Sequence, residues 1–490
     1  CSKHLDRHFW ALELIHFGVL NMQYQSLWLA DILGEPTLGS KIDKDLTVDV
    51  AIVGGGFVGL WTAICILNEE PSLNVAIFDK GLIGQGASSL NGGLLMSWWP
   101  KVGRLSDIAG DEDGLWLADQ STQNILELRD FMAHEQVDAE ISLGGWLWTN
   151  TAKAHANAWQ DIFDKSRELG RNKVFRELSP KEIARRSGSP KHLGGIYEEI
   201  NGQVHPGRLA YGLARIAARR GVKLFSNSAV HSIMPGSPIN LKVSQHEVKA
   251  KKVVIASNIA ADGQPELKNL MVLVTSAVIA TKRIPERLNK IGWTGGETVT
   301  DSQSRLNYYR TTQDARIVYG MGIANLSYKN RLTTKVLQNT EGIEEVKRNF
   351  HRVYPMLADV PIDYGWSGPI DRTYDGLPLI GQYPSCKDIC YGIGWSGNGV
   401  GPSRLGGKIL AGLALEQDNR WTQNRFVNRV GRKFPPEPLR FLFGSLVRQA
   451  IIRKDSAEIS DKPVALADRI LANLAPAGTE DKGKGRDYNA

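Results

Sequence analysis

Short apolar runs, glycine clusters and amphipathic stretches follow one another along the chain. Residues 50–53 (Val-Ala-Ile-Val) are small and apolar, the pattern of a parallel strand covered on both faces. Gly54, Gly56 and Gly59 come next at G-x-G-x-x-G spacing, and Leu60, Ala63, Ile64 and Leu67 continue as a helix. Residues 74–78 predict a second strand ending at Asp79, 25 residues after Gly54. In such a unit the first glycine makes the tight turn and the second admits a pyrophosphate against the backbone. The third lets the helix lie on the strand, and the acid suits a ribose. The helix N-terminus adds unpaired N–H groups and partial positive charge. The pattern therefore predicts a dinucleotide site.

Further along, residues 80–93 are dense in Gly, Ala, Ser and Asn. Ala87-Ser88-Ser89 and Asn91-Gly92-Gly93 read as a second phosphate cradle at a helix N-terminus. Helices are predicted over 27–33, 107–136, 152–169, 206–219 and 341–350. Another starts at Ser179, with Pro180 at its first position and Glu182 three residues on from the cap. Strands are predicted over 141–149, 194–200, 221–225, 253–258, 272–280, 316–323, 362–368 and 389–393. Residues 394–401 form a third glycine-rich loop, which opens a helix to 415. No internal repeat is visible. Three helix-opening loops so far apart predict one nucleotide domain assembled from separated segments, 45–97, 199–260 and 366–415. A substrate domain, 98–198 and 261–365, is inserted between them. Residues 1–44 are an extension and lead-in helix, 416–475 a C-terminal helical region, and 476–490 a disordered tail.

Composition narrows the function class. The 490 residues are 42% hydrophobic and 23% charged, as in a soluble globular protein, and the formal charge is +7. No run reaches the roughly 18 apolar residues of a membrane span. No basic stripe with interleaved aromatics argues for nucleic acid. The four cysteines, Cys1, Cys65, Cys386 and Cys390, show no paired metal spacing. No metal site is expected, and a reducing, cytoplasmic location is. Residues 9–20 are interrupted by Glu13 and His16 and lack a cleavage signal, so residues 1–21 read as an extension and not as a signal peptide.

The three loops together resemble the FAD-dependent D-amino-acid-oxidase-like family. The matching stretches are 52–59, Asp79, 86–88 with 91–93, 375–381 and 394–400. Within it the chain is similar to the γ-glutamylputrescine-oxidase-like branch, and most closely to aminophosphonate oxidoreductases, through 26–29, 59–63, 397–404, 434–440 and 447–448. The resemblance implies an α/β fold, a Rossmann-like FAD domain of glutathione-reductase type with an inserted antiparallel-sheet (α+β) substrate domain. It implies FAD with its pyrophosphate over Gly54, Gly56, Phe57, Val58 and Gly59. The ribose would sit on Asp79 beside Lys80, and the adenine by Val230. The flavin end falls to Asn91, Gly92, Gly93, Leu94, Gly397, Asn398, Gly399 and Val400, with Ser88, Ser257 and Gly376 completing the set. The implied chemistry is hydride transfer from an amine-bearing carbon to flavin N5. The imine is hydrolysed to an aldehyde or keto acid, and electrons pass to O2 or another acceptor.

Three departures shape the substrate expectation. Leu90 replaces an arginine common in the family, no cysteine precedes Gly376 where sarcosine oxidases attach flavin, and Gly401 stands where they carry a lysine. Non-covalent FAD is expected, and an ordinary small α-amino acid becomes a poorer substrate than an anionic amine such as 2-aminoethylphosphonate. Trp98 and Lys101 are candidates for the pocket wall, with core packing and a surface charge as the plainer roles. Tyr308 and Arg310 share one face of a strand and are candidates for the amine carbon and the anion. Arg404, early in the last helix, is a second anion candidate, and His205 reads as structural. Residues 439–454 mix apolar and basic positions, as in a helix docked on the protein's own body or lying on a membrane. Two alternatives stay open: a γ-glutamylputrescine or other amine or amino-acid oxidase, and a non-catalytic or RNA-modifying FAD-binding protein.

Overall fold

The computed structural model describes residues 25–476. The expectations for residues 1–21 and for 477–490 of the tail lie outside the described residues.

Strand Leu46–Val53 sits at the centre of the first of two eight-stranded sheets. It pairs in parallel with Val75–Phe78 on one side, Val50 opposite Val75, and with His246–Ile255 on the other, Val53 opposite Ile255. Lys223–Phe225 and Cys386–Ile393 extend the parallel run, and Leu379–Tyr383 closes one edge antiparallel. The apolar run at 50–53 has its cause here, because both faces are covered. Ile52 and Ile77 face helices Phe57–Glu69, Pro206–Arg219 and Pro402–Ala414. Ala51, Ala76 and Phe78 face the meander Val230–Met234 and Ile239–Val243.

The helix after the first strand lies close to it because Gly59 has no side chain. A Cβ built there would stand 2.0 Å from the Gly54 carbonyl oxygen. The same helix packs against Pro402–Ala414, which comes about 340 residues later.

The second sheet runs in the order 362–372, 272–281, 317–326, 307–311, 298–300, 146–149, 195–198, 175–178. It is antiparallel except where Thr298–Thr300 pairs in parallel with Trp146–Thr149. Strand Val272–Thr281 is buried at every position, and helix Thr340–Val353 covers one face through Ile343, Val346 and Phe350. The fold is thus the mixed α/β arrangement expected. Several boundaries shift. Strand Ile362–Arg372 lies wholly in the second sheet, so a boundary at 366 cuts a strand. Helices Val102–Ala109 and Asp111–His134 replace the single one expected over 107–136, broken at Gly110. Their apolar face, with Leu117, Ile125 and Leu128, shares one core with Trp61 of the nucleotide half and with Trp146, Trp148 and Phe175 of the substrate sheet. Helix Pro180–Ser187 starts with the full capping box of Ser179 and Glu182.

The C-terminal region holds helices Leu439–Ile459 and Leu466–Asn473, joined by an ion pair between Arg453 and Asp468. The first docks on the body with Asp455 buried, while Leu439, Leu442, Phe443 and Leu446 stay half exposed. No helix among the described residues is long and apolar enough to cross a membrane.

Gly59→Ala forces helix and strand apart. We expect a loss of about 1–3 kcal/mol, as for overpacking, read as a lower thermal midpoint with parallel loss of retained cofactor.

Candidate active site

At the first loop Gly54 adopts φ +111°, and a Cβ there would meet the Ala256 carbonyl oxygen at 2.4 Å. Two parallel strand ends therefore close on each other through bare backbone. Asp79 then organises the turn. Its Oδ2 accepts from Gly55 N at 2.8 Å and its Oδ1 from Gly81 N at 2.8 Å. Each carboxylate oxygen keeps a further lone pair for a ligand hydroxyl. Ser88 Oγ accepts from Phe57 N at 2.9 Å, so the second loop caps the helix of the first.

The second loop is not a helix N-terminus. Ala87–Ser89 is one 3-10 turn, and the chain continues into the short strand Leu94–Leu95. Asn91 holds its shape. Its Nδ2 donates to the carbonyls of Ala87 (3.1 Å) and Ser88 (2.8 Å), and its Oδ1 accepts from Gly93 N at 2.8 Å. Arg310 lies beneath. Its Nε donates to Gly92 O at 2.8 Å, one terminal nitrogen to Val204 O at 2.9 Å, and the other to Gln203 Oε1 at 3.1 Å. It also stacks 4.7 Å over the Trp28 ring. Burial pushes its pKa down to about 9.

The third loop hangs on Asp371, whose carboxylate accepts from Gly394 N at 2.7 Å and Trp395 N at 3.1 Å. Burial pushes this carboxyl up to about 7 against those hydrogen bonds. The turn at 375–378 is held from behind. Lys101 Nζ donates to Gly376 O at 2.6 Å, and Arg104 donates to Asp375 O at 2.7 Å. Arg404 pairs with Glu127 at 2.6 Å on the helix side.

One continuous cavity of about 1100 Å³ joins the three loops to the second sheet. It exceeds the roughly 300–1,000 Å³ of ordinary small-molecule sites. Its wall includes Gly54, Gly56, Phe57, Val58, Asp79, Lys80, Ser88, Asn91, Gly92, Gly93, Leu94, Val230, Ser257, Gly397, Asn398, Gly399 and Val400. Gly59 and Gly376 stand behind it. Of the substrate-side candidates, Tyr308 lines the cavity, its hydroxyl 2.5 Å from Ser276 Oγ. Four placements differ from expectation. Trp98 is fully buried against Phe426, Lys101 is buried on Gly376, Arg310 is a loop tie, and Arg404 is a helix-face ion pair. Each of these cations is drawn to carbonyls or a carboxylate that long-range topology brings to it. Tyr309 points the other way, into the core of Tyr319 and Tyr354, as strand alternation requires.

Sequence reasoning missed Ser276, Thr300, Ser304, Asp371, Arg372 and Lys454 on the wall. Asp371 carried no local signal, since the Gly394 and Trp395 N–H groups it collects lie 23 and 24 residues further on. The hydroxyls carried none. No group of three His, Cys, Asp or Glu among the described residues could hold a metal ion.

Residues 49–413 match the family of FAD dependent oxidoreductases known as DAO, and the chain belongs to that family. It is an FAD-dependent oxidoreductase. Among similar proteins, gamma-glutamylputrescine oxidoreductase of Escherichia coli (strain K12) is 27% identical over 398 residues, covering 80% of this chain and 89% of that one. Glycine oxidase of Geobacillus kaustophilus (strain HTA426) is 26% identical over 407 residues, covering 78% and 98%. The crystal structure of glycine oxidase from Geobacillus kaustophilus superposes with a TM-score of 0.65 at 22% identity, covering 79% and 100%.

Arg310→Met leaves the Gly92 and Val204 carbonyls without their donor. We expect about 3–5 kcal/mol of destabilisation, as for breaking a buried polar network, with loss of retained FAD in gel filtration. A change confined to substrate KM would contradict the tie. For Asp371, the raised pKa means stability present below about pH 4 is lost as pH rises through about 7. In Asp371→Asn, urea midpoints between pH 4 and 7 should fall less steeply with pH, by up to about 1.4 kcal/mol per unit.

Proposed function

We propose that the chain oxidises the C–N bond of a small amine carrying an anionic group, an aminophosphonate such as 2-aminoethylphosphonate being the best candidate. The observation that carries this reading is the shared cavity. FAD loops form one end, and Tyr308, Ser276, Thr300, Ser304 and the cations Arg372 and Lys454 stand on the other walls. The names of the relatives, gamma-glutamylputrescine oxidoreductase and glycine oxidase, support an amine or amino acid as donor.

The residues present fit FAD. A Cβ at Gly56 would stand 2.9 Å from Ser88 Oγ, so backbone lies bare where a pyrophosphate would pass. Gly54 to Val58 and the N-terminus of helix Phe57–Glu69 would hold that group. Asp79 would take the ribose and Val230 the adenine side. Asn91 to Leu94 and Gly397 to Val400 would hold the flavin end. No cysteine lines the cavity among the described residues, which supports non-covalent binding. Bound FAD would supply the hydride acceptor for the amine-bearing carbon and hand the electrons to O2 or another small acceptor, with water hydrolysing the imine to an aldehyde and ammonia. The chain supplies orientation. Burial pushes the Tyr308 phenol up to about 12, so it stays neutral and offers a hydroxyl, not a charge, beside the amine.

A second reading, a polyamine derivative such as γ-glutamylputrescine, draws on Asp107 and Asp161, two carboxylates on the same wall. The free thiols Cys65, Cys386 and Cys390 suit a cytoplasmic location. The exposed stripe Leu439, Leu442, Phe443, Leu446 would serve any membrane-surface contact.

The purified protein should carry an acid-releasable yellow chromophore. Under anaerobic conditions 2-aminoethylphosphonate should bleach it within seconds and glycine at least tenfold more slowly. Bleaching by γ-glutamylputrescine alone replaces the substrate. Protein that neither carries FAD nor gains stability from it overturns the reading.

A further inference from the structure

The C-terminal pair of helices, Leu439–Ile459 and Leu466–Asn473, lies beyond the family match at 49–413. It nevertheless supplies Ile451, Lys454, Ala472 and Asn473 to the cavity wall. The attachment is specific. Asp455, 1% exposed, accepts from Ser304 N and Arg305 N, each at 3.0 Å. These residues belong to the loop that carries Thr300, Ser304 and Leu306 to the cavity. Arg453 ties the second helix to the first through Asp468, and the Pro476 carbonyl accepts from Arg372 at 3.4 Å. The pair is therefore a fixed wall, pinned at both ends.

Two cations from different elements stand on that wall. Arg372 ends strand Ile362–Arg372 and is 6% exposed. Lys454 Nζ donates to Ser304 Oγ at 3.1 Å and to Glu458 Oε2 at 2.7 Å. Glu458 Oε2 also lies 3.0 Å from His155 Nε2, so the carboxylate has a second hydrogen-bonding partner. An ammonium has three N–H donors, and Lys454 uses two. A phosphonate or carboxylate seated there gains charge-assisted hydrogen bonds in a partly desolvated place. A substrate without the anion leaves the third Lys454 donor unmatched.

We propose that the C-terminal helix pair is a specificity element added to the family fold, and that Lys454, on the cavity wall that Arg372 also lines, seats the oxyanion group of the amine substrate. This rests on the amine-oxidising function proposed above, and the test separates the two. Anaerobic flavin reduction is measured with 2-aminoethylphosphonate, 3-aminopropanoate and neutral n-propylamine. Wild type should prefer the anionic amines. Lys454→Met should reduce that preference at least tenfold through the half-saturation concentration, and Lys454→Arg should restore most of it. Lys454→Gln, which can keep the Ser304 contact, should behave as Lys454→Met and guards against a folding defect. A second readout needs no turnover: methylphosphonate should raise the thermal midpoint of wild-type holoprotein and not that of Lys454→Met. A preference unchanged within twofold, or equal response of both proteins to methylphosphonate, overturns the proposal. If no amine bleaches the flavin but methylphosphonate still stabilises wild type alone, the oxidase reading falls and the anion seat stands.

Discussion

A buried guanidinium ties the second sheet of this protein to the second glycine-rich loop on the cavity wall. Arg310 extends from the second sheet, and its donors go to the carbonyls of Gly92 and Val204 and to Gln203. A glycine-rich loop has little side-chain packing of its own, so its path must be set by hydrogen bonds. Burying a cation is costly, as the lowered pKa of Arg310 records, and satisfied donors offset the cost. The outcome is a loop held from below while its upper face stays open to the cavity. Asn91 does the same work from within the loop, and Ser88 passes the constraint to the first glycine turn.

The other two loops obey the same logic with different chemistry. Asp79 collects N–H groups of the first turn and Asp371 those of the third. In each case a side chain takes up backbone donors that glycine-rich sequence leaves over. Lys101, Arg104 and Arg429 perform the converse task at 375–378, supplying donors to carbonyls and to Asp375. The site is thus a shell of backbone shaped by charged side chains, of which Asp79, Arg104 and Asp371 also line the cavity while Lys101, Arg310 and Arg429 stand behind it.

That division explains what could be read in the linear chain. The strand at 50–53, the G-x-G-x-x-G turn, Asp79 and the capping box at Ser179 are local patterns, and they were legible. Much of the cavity wall lies in such patterns too, because many of its members are glycines and small residues. The basic residues were harder. Lys101, Arg310 and Arg404 look alike in sequence whether they meet a substrate, a carbonyl or a carboxylate. Only the approach of segments 100 to 300 residues away decides, as with Lys101 and Gly376 or Arg404 and Glu127. The hydroxyls of Ser276, Thr300 and Ser304 sit on strands and loops whose curvature leaves no trace in hydrophobic periodicity. Lys454 was hidden by its setting, a helix outside the family's span.

The pairing of helix Phe57–Glu69 with Pro402–Ala414 has a consequence for how the chain is made. A ribosome delivers the first helix and its strand long before their partners. Until residue 414 has left the exit tunnel, Trp61 lacks the backbone of Gly407 against which it rests. Strand His246–Ile255 likewise waits for Cys386–Ile393 to cover its edge. For most of its synthesis the nascent chain therefore holds an unfinished parallel sheet with an open edge, the kind of surface that associates wrongly when crowded. The cavity is completed late as well, because its third loop follows the first by about 340 residues.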